Sequence, residues 1–116
     1  MGKAENPVVK SVLEYLHILE KRLKGACFFW RNNNVSVYDR TKSVYRRMPF
    51  GCIYGVPDII GLMYGRMVGI ECKSEKGTMS KAQKEFMKRM IEAGGVYILA
   101  RSVKDVEKGL DIQPGN

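Results

Sequence analysis

Several features are scarce in this chain of 116 residues, and each scarcity removes a class of protein. No apolar run approaches the roughly 18 residues that span a bilayer, and the polar start MGKAENP does not predict a signal peptide. There is one histidine, and the three cysteines (Cys27, Cys52 and Cys72) are too far apart for a CxxC motif. We therefore expect buried thiols in a reducing cytoplasm, without a disulfide framework or a zinc site.

Acidic residues are also in deficit, since 20 Lys and Arg stand against 12 Asp and Glu and leave a net charge of +8. A basic chain predicts an anionic partner, with nucleic acid first and a membrane surface or an acidic protein second. The 45% of hydrophobic residues and the chain length favour one compact domain over residues 1–116.

The spacing of apolar residues predicts an α/β domain in which helices flank a mixed sheet. Helices are expected at residues 7–24, from 80 to about 93, and at 103–110. Strands are expected at 26–30, 58–64, 67–73 and 96–100. Residues 31–50 predict a loop or irregular hairpin, and residues 111–116 a frayed tail.

Positive charge is concentrated in residues 31–50, where aromatic residues are interleaved with the basic ones. This mixture favours phosphate contact combined with stacking on unpaired bases. An ordinary solvated surface is the alternative for any single lysine or arginine. The expected nucleic-acid-binding residues are Arg31, Arg40, Lys42, Arg46, Arg47, Lys81 and Lys84.

The predicted hairpin of residues 58–73 carries a group of charges. With a turn at Gly65-Arg66, Asp58 is expected opposite Lys73, and Asp58, Glu71 and Lys73 point to one face of the sheet. Asp58 and Glu71 are then diagonal neighbours with Cβ atoms roughly 7–8 Å apart, close enough to share a hard cation. The Cys72 carbonyl is a candidate third ligand, and oxygen ligands favour Mg²⁺ or Mn²⁺ over zinc.

A surface cluster of salt bridges is the alternative explanation of these charges. The rest of both predicted strands is almost wholly apolar, so the charges fall where burial is expected. Buried ionised groups need a compensating partner, and a metal ion is one such partner.

The residues Val56-Pro57-Asp58, followed after twelve residues by Glu71-Cys72-Lys73, resemble the PD-(D/E)xK signature of the restriction-endonuclease-like superfamily. The downstream Ser80-x-x-Gln83, the Gly94-Gly95 pair and the strand at 96–100 are similar to the VRR-NUC family of virus-type replication–repair nucleases. The likeness is to the small stand-alone members from phages and bacteria.

The resemblance covers residues 5–106 and implies a restriction-endonuclease-like core in the order α-β-β-β-α-β. It implies Mg²⁺- or Mn²⁺-dependent hydrolysis of DNA phosphodiester bonds, without a small-molecule cofactor, in a bacterial cell or a phage-infected host. It also implies a homodimer that cuts branched DNA such as Holliday junctions, because cutting two strands requires two sites related by a twofold axis. A non-catalytic nucleic-acid-binding module with the same fold is the alternative.

Position by position, the resemblance implies that Asp58, Glu71 and the Cys72 carbonyl hold the metal. Lys73 would orient the attacking water and stabilise charge, and Gln83 would contact water or phosphate from the start of a helix.

Two of the implied site residues also have a purely structural interpretation. Ser80-x-x-Gln83 is the pattern of a capping box, in which Gln83 bonds back to the Ser80 amide, and this is compatible with a phosphate contact. Glu5 is the expected acid of the first helix. However, Asn6-Pro7 also matches an N-cap followed by proline at the first helical position, which would leave Glu5 outside the helix.

Overall fold

The fold is given by a computed structural model that describes residues 6–32, 38–39, 44–45 and 50–111. The described elements are α1 (Pro7–Leu23), β1 (Cys27–Arg31), β2 (Tyr38–Asp39), β3 (Val44–Tyr45), β4 (Ile59–Met63), β5 (Arg66–Cys72), α2 (Lys81–Glu92), β6 (Val96–Ala100) and α3 (Val103–Gly109). The α/β class is confirmed. The observed order adds the short β2–β3 pair and α3 to the α-β-β-β-α-β order that the resemblance implies.

Four of the strands form one mixed sheet in the spatial order β1-β4-β5-β6. The β1–β4 and β4–β5 pairs are antiparallel, and the β5–β6 pair is parallel. A parallel pair needs a long crossover, and α2 provides it between β5 and β6. The β2–β3 pair forms a separate small ladder, in agreement with the hairpin expected in the basic segment.

One side of the sheet, which we call the core face, is covered by α1 and α3. Alternate residues of each strand point to this side, where they meet the apolar stripe of α1. Asn6 caps α1 and Pro7 occupies its first turn, while basic residues lie in its last turn. The core includes Val9, Val12, Leu16, Leu19, Phe29, Ile59, Ile70, Ile98 and Val106.

The opposite side, which we call the acidic face, carries Asp58 and Glu71 and is covered only in part. Helix α2 and the segment before β4 lie over its centre. A Cβ built on Gly69 would lie 2.9 Å from Cγ of Pro57 and 3.0 Å from Sδ of Met90. On the β1 side, Phe28 and Trp30 remain 55% and 43% exposed, so the helices leave the outer part of this face open.

The β4–β5 turn differs from the one that the sequence predicts. Met63 pairs with Arg66, so the turn residues are Tyr64 and Gly65 instead of Gly65 and Arg66. Both turn residues have positive φ, 50° and 77°, the pattern of a type I′ turn whose twist matches that of the strands. The expected pairing of Asp58 with Lys73 is therefore wrong, because continuing the observed register places Asp58 opposite Glu71.

The burial of each cysteine depends on the element in which it lies. Cys27 and Cys72 are buried in strands, as expected, whereas Cys52 is exposed. The prediction fails for Cys52 because it lies in the turn-rich segment before β4 and not in a strand that packs on the core.

Among the described helices, none is long and apolar enough to cross a membrane.

Candidate active site

The carboxyl groups of Asp58 and Glu71 lie within hydrogen-bonding reach of each other on the acidic face. Asp58 immediately precedes β4 and is held at two points. Its carbonyl accepts a 2.7 Å hydrogen bond from the Asn32 amide. Its Oδ2 accepts a 2.8 Å hydrogen bond from the Cys72 amide, so the Asp58 carboxylate is fixed against the end of β5.

Glu71 is the buried member of this pair, with only 2% of its surface exposed. Burial is the main cause that raises the pKa of Glu71 to about 8. The hydrogen bond to Asp58 and the charge of Asp58 act in the same direction, and the charge of Lys73 opposes them. Oε1 of Glu71 has no hydrogen-bond partner among the residues that the structure describes. A buried carboxylate in this condition needs a cation or a donor.

Lys73 follows β5 directly, is half-buried, and lies near enough for its charge to act on Glu71. Its amide donates a 3.0 Å hydrogen bond to the Ala100 carbonyl, which continues the β5–β6 pairing to the lysine backbone. Arg101, which the sequence analysis does not predict as a site residue, supports the loop that follows Lys73. Nη1 of Arg101 lies within hydrogen-bonding distance of the carbonyl oxygens of Ser74, Glu75 and Gly77.

The Cys72 carbonyl, the expected third ligand, already has one partner. It accepts a 3.0 Å hydrogen bond from Nδ2 of Asn6, whose Oδ1 caps α1 through the Val8 amide. A carbonyl oxygen has two lone pairs, so this bond from Asn6 leaves one that a cation can use. The N-cap interpretation of Asn6-Pro7 is confirmed and Glu5 precedes α1. Glu5 itself lies outside the described residues, and its part in the site stays a prediction.

Gln83 completes a capping box at the start of α2. The Gln83 amide donates to Oγ of Ser80 at 3.1 Å, and the Ser80 amide donates to Oε1 of Gln83 at 2.8 Å. The segment before β4 packs directly on this turn, since a Cβ on Gly55 would lie 2.3 Å from the Ala82 carbonyl oxygen. The structural interpretation of Gln83 is confirmed. The capping bond uses Oε1, so the side-chain NH₂ could still reach a phosphate.

Tyr97 is a residue of this site that sequence reasoning missed. It pairs with Gly69 in the parallel register and therefore shares the acidic face with Glu71. Its hydroxyl is buried and has no hydrogen-bond partner among the described residues. Burial raises the pKa of Tyr97, and the charges of Glu71 and then Asp58 raise it further. A phenol within an apolar strand was the available signal, but the β5–β6 register was needed to interpret it.

The expected nucleic-acid-binding residues are only partly described. Lys81 and Lys84 are exposed on the first turns of α2, and Arg31 is exposed at the end of β1. Burial raises the pKa of the Cys72 thiol to about 12, and the Arg31 charge acts in the opposite direction, so Arg31 lies near the same end of the sheet. Outside the described residues lie Arg40, Lys42, Arg46 and Arg47.

The chemistry of the donor set fits a hard divalent cation. In the described part of the chain, no group of three or more His, Cys, Asp and Glu side chains could hold a metal ion. The oxygen donors that do converge are the carboxylates of Asp58 and Glu71, with the Cys72 amide bonded to Asp58, and carboxylate oxygens are consistent with Mg²⁺ or Mn²⁺ that keeps several waters. The unpartnered Oε1 of Glu71 is the feature that such an ion would satisfy.

Comparison with known proteins adds no assignment, because no protein-family model matches the chain and no curated protein does.

Proposed function

We propose that the chain is a metal-dependent phosphodiesterase that acts on nucleic acid. Within that class, the resemblance to VRR-NUC nucleases favours an endodeoxyribonuclease with a restriction-endonuclease-like core. The observation that carries the proposal is Glu71, a nearly fully buried carboxyl group beside Asp58 whose Oε1 has no partner among the described residues. A salt-bridge cluster on a solvated surface, the alternative explanation of these charges, does not account for that burial.

The residues of the acidic face have separate tasks in this proposal. Asp58, Glu71 and the Cys72 carbonyl would hold Mg²⁺ or Mn²⁺. When bound there, the cation would supply the Lewis acidity for activating a water and polarising the scissile phosphate. The ammonium group of Lys73 orients the attacking water and offsets the negative charge that builds on the phosphate oxygens in the transition state.

Binding of DNA draws on the net charge of +8. The start of α2 presents Lys81, Lys84 and the side-chain NH₂ of Gln83 next to the segment that leads to Asp58, and a helix N-terminus favours phosphate. The substrate we propose is branched DNA, such as a four-way junction, cut by a homodimer in the cytoplasm of a bacterial or phage-infected cell. Association should weaken steeply as salt rises.

The test is a cleavage panel on end-labelled four-way junction, linear duplex and single-stranded DNA. Each substrate is incubated with wild type, D58N or E71Q in Mg²⁺, in Mn²⁺ or in EDTA. We expect metal-dependent cleavage by wild type and a loss of at least about 10²-fold in both variants, with little change in DNA affinity. Glu75→Gln is the matched control, because Glu75 is an exposed acid in the loop after Lys73.

Three results of the panel would contradict the proposal. Full activity in E71Q would remove Glu71 from the chemistry. Salt-sensitive binding without cleavage in either metal would favour the non-catalytic DNA-binding module. No salt-sensitive binding to any of the three DNAs would favour an acidic protein as the partner.

A further inference from the structure

Two buried polar atoms on the acidic face lack hydrogen-bond partners within the described residues, and they belong to neighbouring strands. One is Oε1 of Glu71 on β5, and the other is the hydroxyl oxygen of Tyr97 on β6. Buried polar atoms without partners are uncommon in folded proteins, and each one calls for a physical explanation.

The register brings these two side chains to the same place. Tyr97 pairs with Gly69, and Glu71 lies two residues further along β5 on the same face. Neighbouring strands are about 4.8 Å apart and two residues advance a strand by about 6.6 Å, so the two side chains are within reach of each other. The charge of Glu71 acts on the Tyr97 hydroxyl, which agrees with this proximity.

The surroundings offer the Tyr97 hydroxyl few other partners. Gly69 is covered by Pro57 and by the thioether of Met90, neither of which has a hydrogen-bond donor in its side chain. Asp58 is also near and accepts a hydrogen bond from the Cys72 amide through Oδ2. Oε1 of Glu71 is a buried acceptor without a hydrogen-bond partner among the described residues.

We propose that Tyr97 is a positioning residue for Glu71: its hydroxyl donates to Oε1 through one bound water and thereby orients the carboxylate toward Asp58 and the shared cation. This inference rests on the proposed metal site. A phenol is a donor and an ionised carboxylate is an acceptor, so one water bridging them satisfies both open atoms. Groups that orient a metal-binding side chain affect metal affinity by about 10–100-fold.

The experiment compares wild type with Y97F, which removes only the hydroxyl oxygen. Titration calorimetry with Mn²⁺ alone should show affinity weakened by about 10-fold or more in Y97F. Thermal unfolding in EDTA should show Y97F as stable as wild type or more so, because the Tyr97 hydroxyl has no direct hydrogen-bond partner among the described residues. Tyr15→Phe is the matched control, since Tyr15 is a half-buried tyrosine of α1 that packs against the core.

Cleavage assays add a readout that a purely structural tyrosine would not change. With limiting Mn²⁺, kcat of Y97F should fall while KM for DNA stays at the wild-type value, and excess Mn²⁺ should restore most of the loss. Equal Mn²⁺ affinity in Y97F and wild type would overturn the inference and leave the proposed function standing. Wild type that binds no Mn²⁺ would overturn both. A Y97F variant that unfolds in EDTA would also contradict the inference, since it would show a structural hydroxyl.

Discussion

The two faces of the four-stranded sheet are made by the same strands, yet they differ in how completely they are covered. On the core face, α1 and α3 close over an apolar interior. On the acidic face, α2 and the segment before β4 cover the centre, and two buried polar atoms lack partners among the described residues. The core face therefore carries most of the folding free energy, and the acidic face carries the proposed metal site.

Strand β1 shows this division within consecutive residues. Phe29 points to the core face and is 5% exposed, whereas its neighbours Phe28 and Trp30 point to the acidic face and are about half exposed. The two exposed rings contact each other, with centroids 5.1 Å apart. Phe28, Phe29 and Trp30 are neighbours in one strand. A difference between the effects of their substitutions on stability therefore reflects the face to which each side chain points.

The largest expected effect is a loss of stability caused by a substitution on the core face. Phe29→Ala should lower the free energy of unfolding by about 3–5 kcal/mol, since it leaves a cavity in the core. The matched Phe28→Ala should cost only about 1 kcal/mol, mainly the lost contact with Trp30. Urea unfolding of both variants measures the difference. Equal losses would mean that the acidic face is as tightly packed as the core face.

The next effect belongs to the acidic face and leaves stability almost unchanged. Lys73→Ala should reduce cleavage by about 10²–10³-fold, because the transition state loses a positive charge. Lys76→Ala is the control, since Lys76 is an exposed lysine in the loop that follows. Steady-state cleavage in Mg²⁺ with a fluorescent junction measures both variants. Wild-type activity in Lys73→Ala would exclude the lysine from the mechanism.

A third effect concerns the pH dependence of stability in EDTA. The pKa of Glu71 is raised to about 8, whereas an unfolded glutamate titrates near 4.5. Between these values the folded protein keeps a proton that the unfolded chain has released, so this contribution to stability is present at low pH and lost as pH rises. The slope reaches at most about 1.4 kcal/mol per pH unit.

Glu71→Gln removes this titration and should flatten the wild-type decline between pH 5 and 8. Denaturant midpoints measured across that range give the comparison, and Glu75→Gln should keep the wild-type slope. A decline that persists unchanged in Glu71→Gln would show that other groups cause it.

Local patterns predicted much of the fold, and long-range pairing explains what they missed. The apolar stripe of α1 and the bounds of β6 follow from spacing alone. The β4–β5 turn was placed one residue late because Tyr64 has φ of 50°, which is uncommon outside glycine. The prediction of which residues share a face of the sheet is still correct, because the predicted turn and the observed turn both contain two residues.

The sequence predicts only the part of the site that lies on the β4–β5 hairpin and the residues next to it. Asp58, Glu71 and Lys73 share a motif and adjacent strands, so their convergence could be inferred from the sequence. The contact of Asn6 with the Cys72 carbonyl spans 66 positions, and the approach of Tyr97 to Glu71 depends on a parallel register. Neither contact produces a local sequence pattern from which the partner residue could be identified.

The smallest expected effect separates the two roles of Gln83. Ser80→Ala removes the acceptor of the 3.1 Å capping bond and should cost about 1 kcal/mol of stability. Gln83→Ala removes the reciprocal 2.8 Å bond and should cost a similar amount. If Gln83 also contacts phosphate, only Gln83→Ala should weaken DNA affinity or cleavage by several-fold. Unfolding and cleavage measured on the same samples decide this, because equal cleavage by both variants would limit Gln83 to its capping role. The start of α2 would then belong with the structural elements of the acidic face and not with its chemistry.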